Sequence, residues 1–368
     1  MEITISVAEL GKALQRVQGI VEKKTSMPIL GNALLRSSGQ DRISVSATDL
    51  EIGITGEYRA EVHTEGAMTL AARALYDIVR QLPGDDVVLK QAPNQYVEIS
   101  CGKVKYRVVG LPADSYPTLP TFDEVPFFSV DPKSFREMID KTLYAVSTDE
   151  TRYNLTGVYC EPTDGQGLRM VATDGHRLAL VERSTEEAPT MSEGVIIPRK
   201  GLQELKKLLE DGDQPARLGF VENSAVFEKG DVLLTMRLID GRFPDYQQVI
   251  PSSHTRRVKI PKDPLVKALR RTSLLAPDKA QGVRFDLQAG QLSLSANNPD
   301  LGEAKEDLDV EFDGDALKIG FNFRYLLDVL ASIPEPDIEL DLTDELSPGV
   351  VRGAGTEDYR AVVMPMRI

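Results

Sequence analysis

The sequence lacks tryptophan and holds only 2 cysteines and 3 histidines among its 368 residues. Cys101 and Cys160 are too few for a disulfide framework and do not have the spacing of zinc ligands, which favours a reducing, cytoplasmic location. Three histidines leave little material for histidine-based catalysis or metal binding. No cofactor is implied by the sequence.

Long apolar runs are absent as well. No stretch approaches the ~18 apolar residues of a membrane span. The opening MEITISVAEL has no basic segment followed by a long apolar one, so we expect no signal peptide. The length suggests two or three domains.

Positive charge is scarce overall, with 43 Lys and Arg against 57 Asp and Glu and a net charge of −14. Taken alone, this excess of acid argues against a surface built for nucleic acid. The basic residues are not evenly distributed, however, because they outnumber the acidic residues in five of the six helices predicted below. The remaining segments are therefore strongly acidic.

A repeat runs along the chain. VSATDLEIGI (45–54), VATDGHRLAL (171–180) and LSANNPDLGE (294–303) each lead a strand into a polar turn and out to another strand. Their alanines recur at intervals of about 125 residues, which predicts three tandem copies of one unit. The joins TFDEVPFF and PSSHTRR place the domains at 1–126, 127–254 and 255–368.

Each copy contains two segments with apolar residues at helical spacing. The predicted helices are 8–21, 72–81, 132–145, 198–209, 262–275 and 322–332. Strands surround them, so a copy reads strand, helix, strands, strand, helix, strands. This order predicts an α+β fold with largely antiparallel sheets and the helices on one face.

The polar stretch at 173–177 resembles an active site but favours a turn. Thr173-Asp174 occupies the repeat position of Thr48-Asp49, and Asp-Gly is a preferred hairpin sequence. His176 and Arg177 have no counterpart in the other copies and are therefore the distinctive residues.

The basic residues of the predicted helices lie opposite the apolar stripes. This holds for Arg199, Lys200, Lys206 and Lys207 on one helix, and for Lys267, Arg270 and Arg271 on another. A solvated helix face is one interpretation. The other is a surface that contacts phosphates without reading bases.

Several motifs over the whole chain resemble those of the bacterial DNA sliding clamp, the beta subunit of DNA polymerase III. They are MPILGN (27–32), ATDGHRLA (172–179), PRKG (198–201), DGRFPDY (240–246), ANNP (296–299) and VVMPMRI (362–368). The resemblance implies a DNA clamp fold of three domains and a head-to-tail homodimer. Helices would line the inside of a ring around duplex DNA, and antiparallel sheets would form the outside.

The implied function is that of a processivity factor for DNA replication and not of an enzyme. The clamp loader, the replicative and other DNA polymerases, and repair proteins would insert short peptides with apolar anchors into a pocket between domains 2 and 3. The positions implied for this pocket are Leu155, Thr173, Gly175, His176, Arg177, Leu178, Pro244, Val249, Asn322, Tyr325, Leu346, Val362, Met364, Pro365, Met366 and Arg367. Arg177 and Arg367 would hold backbone carbonyls or an acidic group of the peptide.

The resemblance implies two further surfaces. The DNA-facing residues would be Lys12, Lys24, Arg73, Arg152, Tyr153, Arg199 and Lys200, with Asp149 an unfavourable neighbour. The dimer interface would join Lys103, Lys105, Tyr106, Leu274, Leu275, Asp300, Glu303 and Glu306. Lys305 and Gly302 depart from the acidic pattern of the family at this interface.

Two alternatives stay open at this point. A phosphoesterase using Asp174 and His176 would need a second ligand or a phosphate-binding loop, and neither pattern is present. A monomeric peptide-binding scaffold that never contacts DNA is the other alternative.

Overall fold

The computed structural model describes residues 1–22, 26–122, 124–210, 212, 214–277 and 281–367. Lys24, one of the expected DNA contacts, lies outside the described residues. The chain divides into two compact units, Met1–Lys133 with Lys200–Leu238, and Ser134–Arg199 with Ile239–Ile368.

Six α-helices lie within the described residues, at the six predicted places. They are α1 (Val7–Val17), α2 (Ala72–Val79), α3 (Pro132–Thr142), α4 (Arg199–Leu209), α5 (Lys262–Thr272) and α6 (Phe323–Ser332). The predictions for α1, α3 and α5 ran too long. Helix α1 ends at Val17 rather than at residue 21, and a separate 3-10 turn follows α3 and α5, at Leu143–Ala145 and Ser273–Leu275.

Helix α1 shows how the local sequence sets these elements. The Ser6 hydroxyl accepts a hydrogen bond from the Glu9 backbone N–H at 3.1 Å and caps the first turn. Leu10, Leu14 and Val17 lie one turn apart and are fully buried. The predicted apolar stripe is therefore the face that packs into the core.

The strands of the described residues are short, with four to eight residues each. The first thirteen are β1 (Glu2–Ser6), β2 (Asn32–Ser37), β3 (Arg42–Thr48), β4 (Ile52–Arg59), β5 (Glu61–Thr64), β6 (Ala67–Ala71), β7 (Asp86–Gln91), β8 (Tyr96–Cys101), β9 (Val104–Val109), β10 (Phe127–Val130), β11 (Gly157–Pro162), β12 (Gly167–Thr173) and β13 (Arg177–Ser184). The remaining twelve are β14 (Val195–Pro198), β15 (Ala216–Val221), β16 (Ser224–Lys229), β17 (Val232–Arg237), β18 (Arg256–Pro261), β19 (Gly282–Gln288), β20 (Gln291–Asn298), β21 (Gly302–Asp309), β22 (Leu317–Asn322), β23 (Asp337–Leu342), β24 (Gly349–Gly353) and β25 (Tyr359–Val363).

The first unit holds two antiparallel sheets. One has the order β5-β1-β7-β8-β9, and the other β10-β15-β16-β17-β4-β3-β2-β6. The eight-stranded sheet is joined in its middle by β17 and β4, with Val232 opposite Gly56 and Met236 opposite Ile52. This joint connects strands of the first and second sequence copies.

The second unit is built in the same way. Its sheets have the orders β14-β11-β12-β13-β25-β24-β23-β18 and β21-β20-β19-β22. Here β13 and β25 form the joint, with Arg177 opposite Val363 and Val181 opposite Tyr359. Strands of the second sequence copy thus contribute to one eight-stranded sheet in each unit.

The strand pairing confirms the α+β prediction, because every paired ladder described is antiparallel and each copy contributes two groups of four or five strands and two helices. The domain limits at 126 and 254 stay predictions. In the described part of the chain, no helix has the length and apolarity needed to cross a membrane.

Candidate functional site

The turn at 173–177 is held by its own side chains. The Thr173 hydroxyl donates to the Arg177 carbonyl at 2.7 Å and accepts from the Gly175 N–H at 3.1 Å. Asp174 Oδ1 accepts from the backbone N–H groups of His176 at 2.9 Å and Arg177 at 3.1 Å. Gly175 has a φ of +88°, which is easiest for glycine.

The equivalent turn in the first copy has the same hydrogen bonds. The Thr48 hydroxyl donates to the Ile52 carbonyl at 2.9 Å and accepts from the Leu50 N–H at 2.9 Å. Asp49 Oδ1 accepts from the N–H groups of Glu51 at 3.0 Å and Ile52 at 2.7 Å. The interpretation of Thr173-Asp174-Gly175 as a turn of the fold is therefore confirmed.

Arg177 is bound on all sides by its own chain. Its guanidinium donates to Asp174 Oδ2 at 3.1 Å, Asp328 Oδ2 at 2.5 Å and the Tyr144 carbonyl at 2.7 Å. It also lies over the rings of Tyr325 at 4.6 Å and Tyr144 at 5.2 Å. Burial works against the charged form, but the hydrogen bond to Asp328 and the charge of Asp174 raise the pKa of Arg177 above its usual value.

These bonds use three of the five N–H donors of the guanidinium. The Arg177 side chain is therefore held in place beside the turn, and its contact with a ligand stays a prediction. The partners lie 33 and 151 residues away, at Tyr144 and Asp328, so the local sequence could not reveal them.

An apolar cavity of about 300 Å³ opens beside this turn. Its lining residues are Leu155, Thr173, Gly175, Arg177, Leu178, Pro244, Asp245, Tyr246, Val249, Val362 and Met364. The turn, the 244–249 segment and the last strand each supply a wall. Leu155, Leu178 and Val362 belong to a buried cluster, so the floor continues into the core.

Asp245 and Tyr246 line this cavity but are missing from the sequence-based set. The Tyr246 hydroxyl donates to Glu161 and accepts from Arg169 Nη1 at 2.9 Å. Burial and the hydrogen bond to Glu161 raise the pKa of Tyr246. Both residues lie within DGRFPDY, so the motif itself was the available signal.

Seven residues implied for the pocket do not line this cavity. They are His176, Asn322, Tyr325, Leu346, Pro365, Met366 and Arg367. The rings of His176 and Tyr325 lie side by side, with centroids 6.3 Å apart and planes 17° apart. Asn322 caps helix α6 through the Arg324 N–H at 2.9 Å, and Leu346 is 63% exposed.

The last residues are attached to the second unit by backbone hydrogen bonds. The Met364 N–H donates to the His176 carbonyl at 2.9 Å, and the Met366 N–H donates to the Gly320 carbonyl at 2.8 Å. The tail therefore follows the turn and fixes Met364 at the mouth of the cavity.

Among the six described residues expected to contact DNA, three side chains make the following contacts within the chain. Lys200 pairs with Asp49, and Arg73 donates to the Val21 carbonyl at 3.3 Å. Arg152 donates to Asp149 Oδ2 at 3.1 Å and to the Asp174 carbonyl at 2.9 Å. Asp149, the unfavourable neighbour, thus holds Arg152 in place. The other three lie as follows: Lys12 on α1, Tyr153 exposed in a 3-10 turn, and Arg199 at the start of α4.

The residues expected at a dimer interface lie on two sheet edges. Lys105 and Tyr106 are on β9, with Lys103 in the preceding turn, and Glu303 and Glu306 are on β21. The other three lie beside β21: Leu274 and Leu275 in the 3-10 turn, and Asp300 in the turn before the strand.

No group of three or more His, Cys, Asp or Glu side chains in the described ranges is arranged to hold a metal ion.

The fold, in which two groups of strands and two helices occur three times, is the DNA clamp fold. Three family models match the chain in order: the N-terminal, central and C-terminal domains of the DNA polymerase III beta subunit, at residues 1–120, 129–245 and 247–367.

The chain belongs to the family of the DNA polymerase III beta subunit, the beta sliding clamp. It is 38% identical to the beta sliding clamp of Caulobacter vibrioides over 373 residues, with both chains covered completely. The DNA polymerase III subunit beta of Pseudomonas aeruginosa has a similar structure, with a TM-score of 0.95, 36% identity and complete coverage of both chains. A structure of that protein bound to griselimycin has a TM-score of 0.94, 36% identity and the same coverage. The family is one of processivity factors and not of enzymes, which ends the phosphoesterase alternative.

Proposed function

We propose that this chain forms a head-to-tail homodimer that encircles duplex DNA and tethers its partners through the cavity beside the 173–177 turn. The partners would be the clamp loader, the replicative and other DNA polymerases, and repair proteins. The apolar cavity carries this proposal, because it is open, continuous with the core and walled by three separate segments. Such a surface suits short apolar anchors of a peptide.

The chemistry of the walls supports a site that accepts several ligands. Leu155, Leu178 and Val362 give a buried floor, whereas Met364 has an unbranched side chain and is partly exposed. A methionine at the mouth can repack around different side chains. Asp245 at the rim would favour peptides with a donor beside the anchor.

The charge distribution supports the DNA-binding part of the proposal. The helices carry basic residues in a chain whose net charge is −14. Contacts from such residues to phosphates hold DNA without reading its sequence, which suits sliding. We place the protein in the cytoplasm, where replication of bacterial DNA occurs.

Griselimycin provides a direct probe of the cavity, since it binds a relative that is 36% identical over its full length. Calorimetric titration should show binding to the native chain. Replacing Val362 by Asp should abolish it, because the buried carboxylate would stand in the apolar floor. The control is Ala225→Asp, at a buried position in the other unit, which should reduce stability but leave binding by the folded fraction unchanged. Equal affinity of the Val362→Asp variant would contradict the assignment of the cavity.

A further inference from the structure

A second cavity lies beside the apolar one, within the same unit of the chain. It has a volume of about 690 Å³. Three segments line it: Tyr159 and Glu161 on β11, Glu193 with Gly194, and the 241–247 segment. We call it the acidic cavity because of the charges described below.

The two cavities share one wall. Pro244, Asp245 and Tyr246 line both of them. A peptide bound in the apolar cavity therefore needs to cross only this short segment to place a side chain in the acidic cavity. An extended peptide advances about 3.3 Å per residue, so crossing ~10 Å, the usual spacing of packed chain layers, takes about three residues.

The walls of the acidic cavity are fixed by packing. Tyr159 and Glu161 are two positions apart on β11, so their side chains leave the same face of the strand. The Tyr159 ring stacks on Phe243, with centroids 4.9 Å apart and planes 7° apart. A Cβ at Gly194 would lie 2.1 Å from Tyr159 Oη, so a larger residue there would displace this ring.

A ladder of charges across three strands holds the carboxylate of Glu161 in place. Glu161 lies opposite Arg169, and Arg169 lies opposite Glu182. The Arg169 guanidinium donates to Glu161 Oε1 at 2.8 Å and to Glu182 Oε1 at 2.7 Å. The Tyr246 hydroxyl also donates to Glu161. Because two carboxylates share one guanidinium, the ladder keeps a net negative charge.

Carboxylates outnumber guanidiniums in and behind the cavity. The charged groups are Glu161, Arg169, Glu182, Glu193, Arg242 and Asp245. Glu193 and Asp245 are exposed, so both can contact a ligand. Burial and the charge of Glu161 raise the pKa of Tyr159, as expected where the potential is negative. A cation is the ligand that these charges favour.

We propose that the acidic cavity binds a lysine or arginine side chain of the same peptide whose apolar anchor occupies the apolar cavity. The inference rests on the proposed function and adds a second determinant of which partners bind. The cation would contact the carboxylates of Glu193 and Asp245 and lie beside the Tyr159 ring. Partners with a basic residue about three positions from the anchor would then bind more tightly than partners with the anchor alone.

Synthetic peptides that compete with griselimycin test this inference. The probes are short alanine-based peptides with a pair of leucines as the anchor and a lysine about three positions away, on one side or the other. Matched probes carry glutamine or glutamate in place of the lysine. At low salt, one lysine peptide should bind on the order of fivefold more tightly than its glutamine counterpart, and the gain should shrink at high salt. The glutamate peptide should bind least tightly.

Two variants of the chain locate the effect. Glu193→Gln removes a carboxylate from the acidic cavity, so the gain from lysine should fall to about twofold, while the affinities for griselimycin and the glutamine peptide stay unchanged. Glu186→Gln is the matched control, because it removes the same charge from an exposed position in the same loop, away from the residues that line the cavity. It should leave the full gain in place.

The outcomes separate this inference from the proposed function. If griselimycin does not bind the native chain, the apolar cavity itself is wrongly assigned. If griselimycin binds, then equal affinities of the lysine and glutamine peptides, tightest binding of the glutamate peptide, or no competition by any peptide would overturn the cation site alone. An equal loss of the gain in Glu193→Gln and Glu186→Gln would also overturn it, since the overall charge of the chain would then explain the preference.

Discussion

The turns at 48–52 and 173–177 have the same hydrogen bonds, and the second of them borders the apolar cavity. The residue after the first turn is Gly53, and its missing side chain leaves room for Leu119, whose Cδ2 lies 3.0 Å from where a Cβ would stand. The residue at the equivalent place in the second turn is Leu178, which forms part of an open apolar floor.

This difference agrees with the proposed ligand site. The turn has the same geometry in both copies, so its polar residues alone do not distinguish the second copy. What distinguishes the second copy is an apolar floor that its own chain leaves uncovered, with Arg177 holding one wall and Met364 the mouth. A ligand would take the place that Leu119 has beside the first turn.

The largest expected effect comes from removing the tail at the mouth of the cavity. Deleting residues 364–368 takes away Met364 and its hydrogen bond to His176, so binding of the cavity ligand should fall by at least about 100-fold, in line with losing a central anchor contact. The proposed dimer edges do not include this segment, so the native mass should not change. The same calorimetric titration and light scattering measure both. Binding at unchanged affinity would show that the tail is not part of the site.

The next comparison changes the side-chain volume at the two equivalent positions, Leu178 and Gly53. Leu178→Ala should destabilise the fold by about 2–4 kcal/mol and weaken ligand binding, because it leaves a hole in the floor. Gly53→Ala should cost about 1–3 kcal/mol, since the new Cβ meets Thr235 Oγ1 at 2.8 Å as well as Leu119, but it should not alter ligand affinity. Denaturant unfolding gives the stabilities. A loss of ligand affinity in Gly53→Ala would break the distinction between the two turns.

The carboxylates of the turns give a smaller pair of effects. Asp49→Ala and Asp174→Ala each leave two backbone N–H groups without their acceptor, which should cost about 1–3 kcal/mol in unfolding free energy. Only Asp174→Ala should also reduce ligand affinity, because it releases Arg177 from one side. Equal ligand affinities of the two variants would mean that Arg177 is held well enough by its other partners.

The smallest effect concerns the backbone at the two turn centres. Leu50 has a φ of +81°, where Gly175 has +88°. Leu50→Gly should therefore stabilise the chain by up to about 1 kcal/mol, since a side chain is strained in this region. Thermal unfolding measures it, with Leu346→Gly at another exposed loop position as the control. Destabilisation by Leu50→Gly would show that the leucine side chain contributes more than the strain costs.

The sequence predicts the periodic part of this structure well. The apolar spacing predicts the six helices, and the recurring turns predict the threefold repeat, because both patterns depend on residues close together in sequence. The ends of α1, α3 and α5 were misjudged, since apolar residues can follow a helix without continuing it, as Ile20 and Val21 do after α1 and as the 3-10 turns do after α3 and α5.

The cavity was only partly accessible to sequence reasoning. The resemblance to sliding clamps gave nine of its lining residues, but it did not reveal Asp245 and Tyr246 or the partners of Arg177. Those features depend on contacts between segments far apart in sequence, such as Tyr246 with Glu161 and Arg169. Pairing of side chains across such distances follows from the fold and not from a local pattern.

Topological retention on DNA tests the central claim most directly. Protein loaded by a clamp loader onto a closed circular duplex should stay bound through gel filtration at high salt and should dissociate once a single cut linearises the circle. This outcome is expected because encirclement needs no strong contact with the phosphates. Equal retention on the circular and linear forms, or equal loss from both, would contradict a clamp that holds DNA by surrounding it.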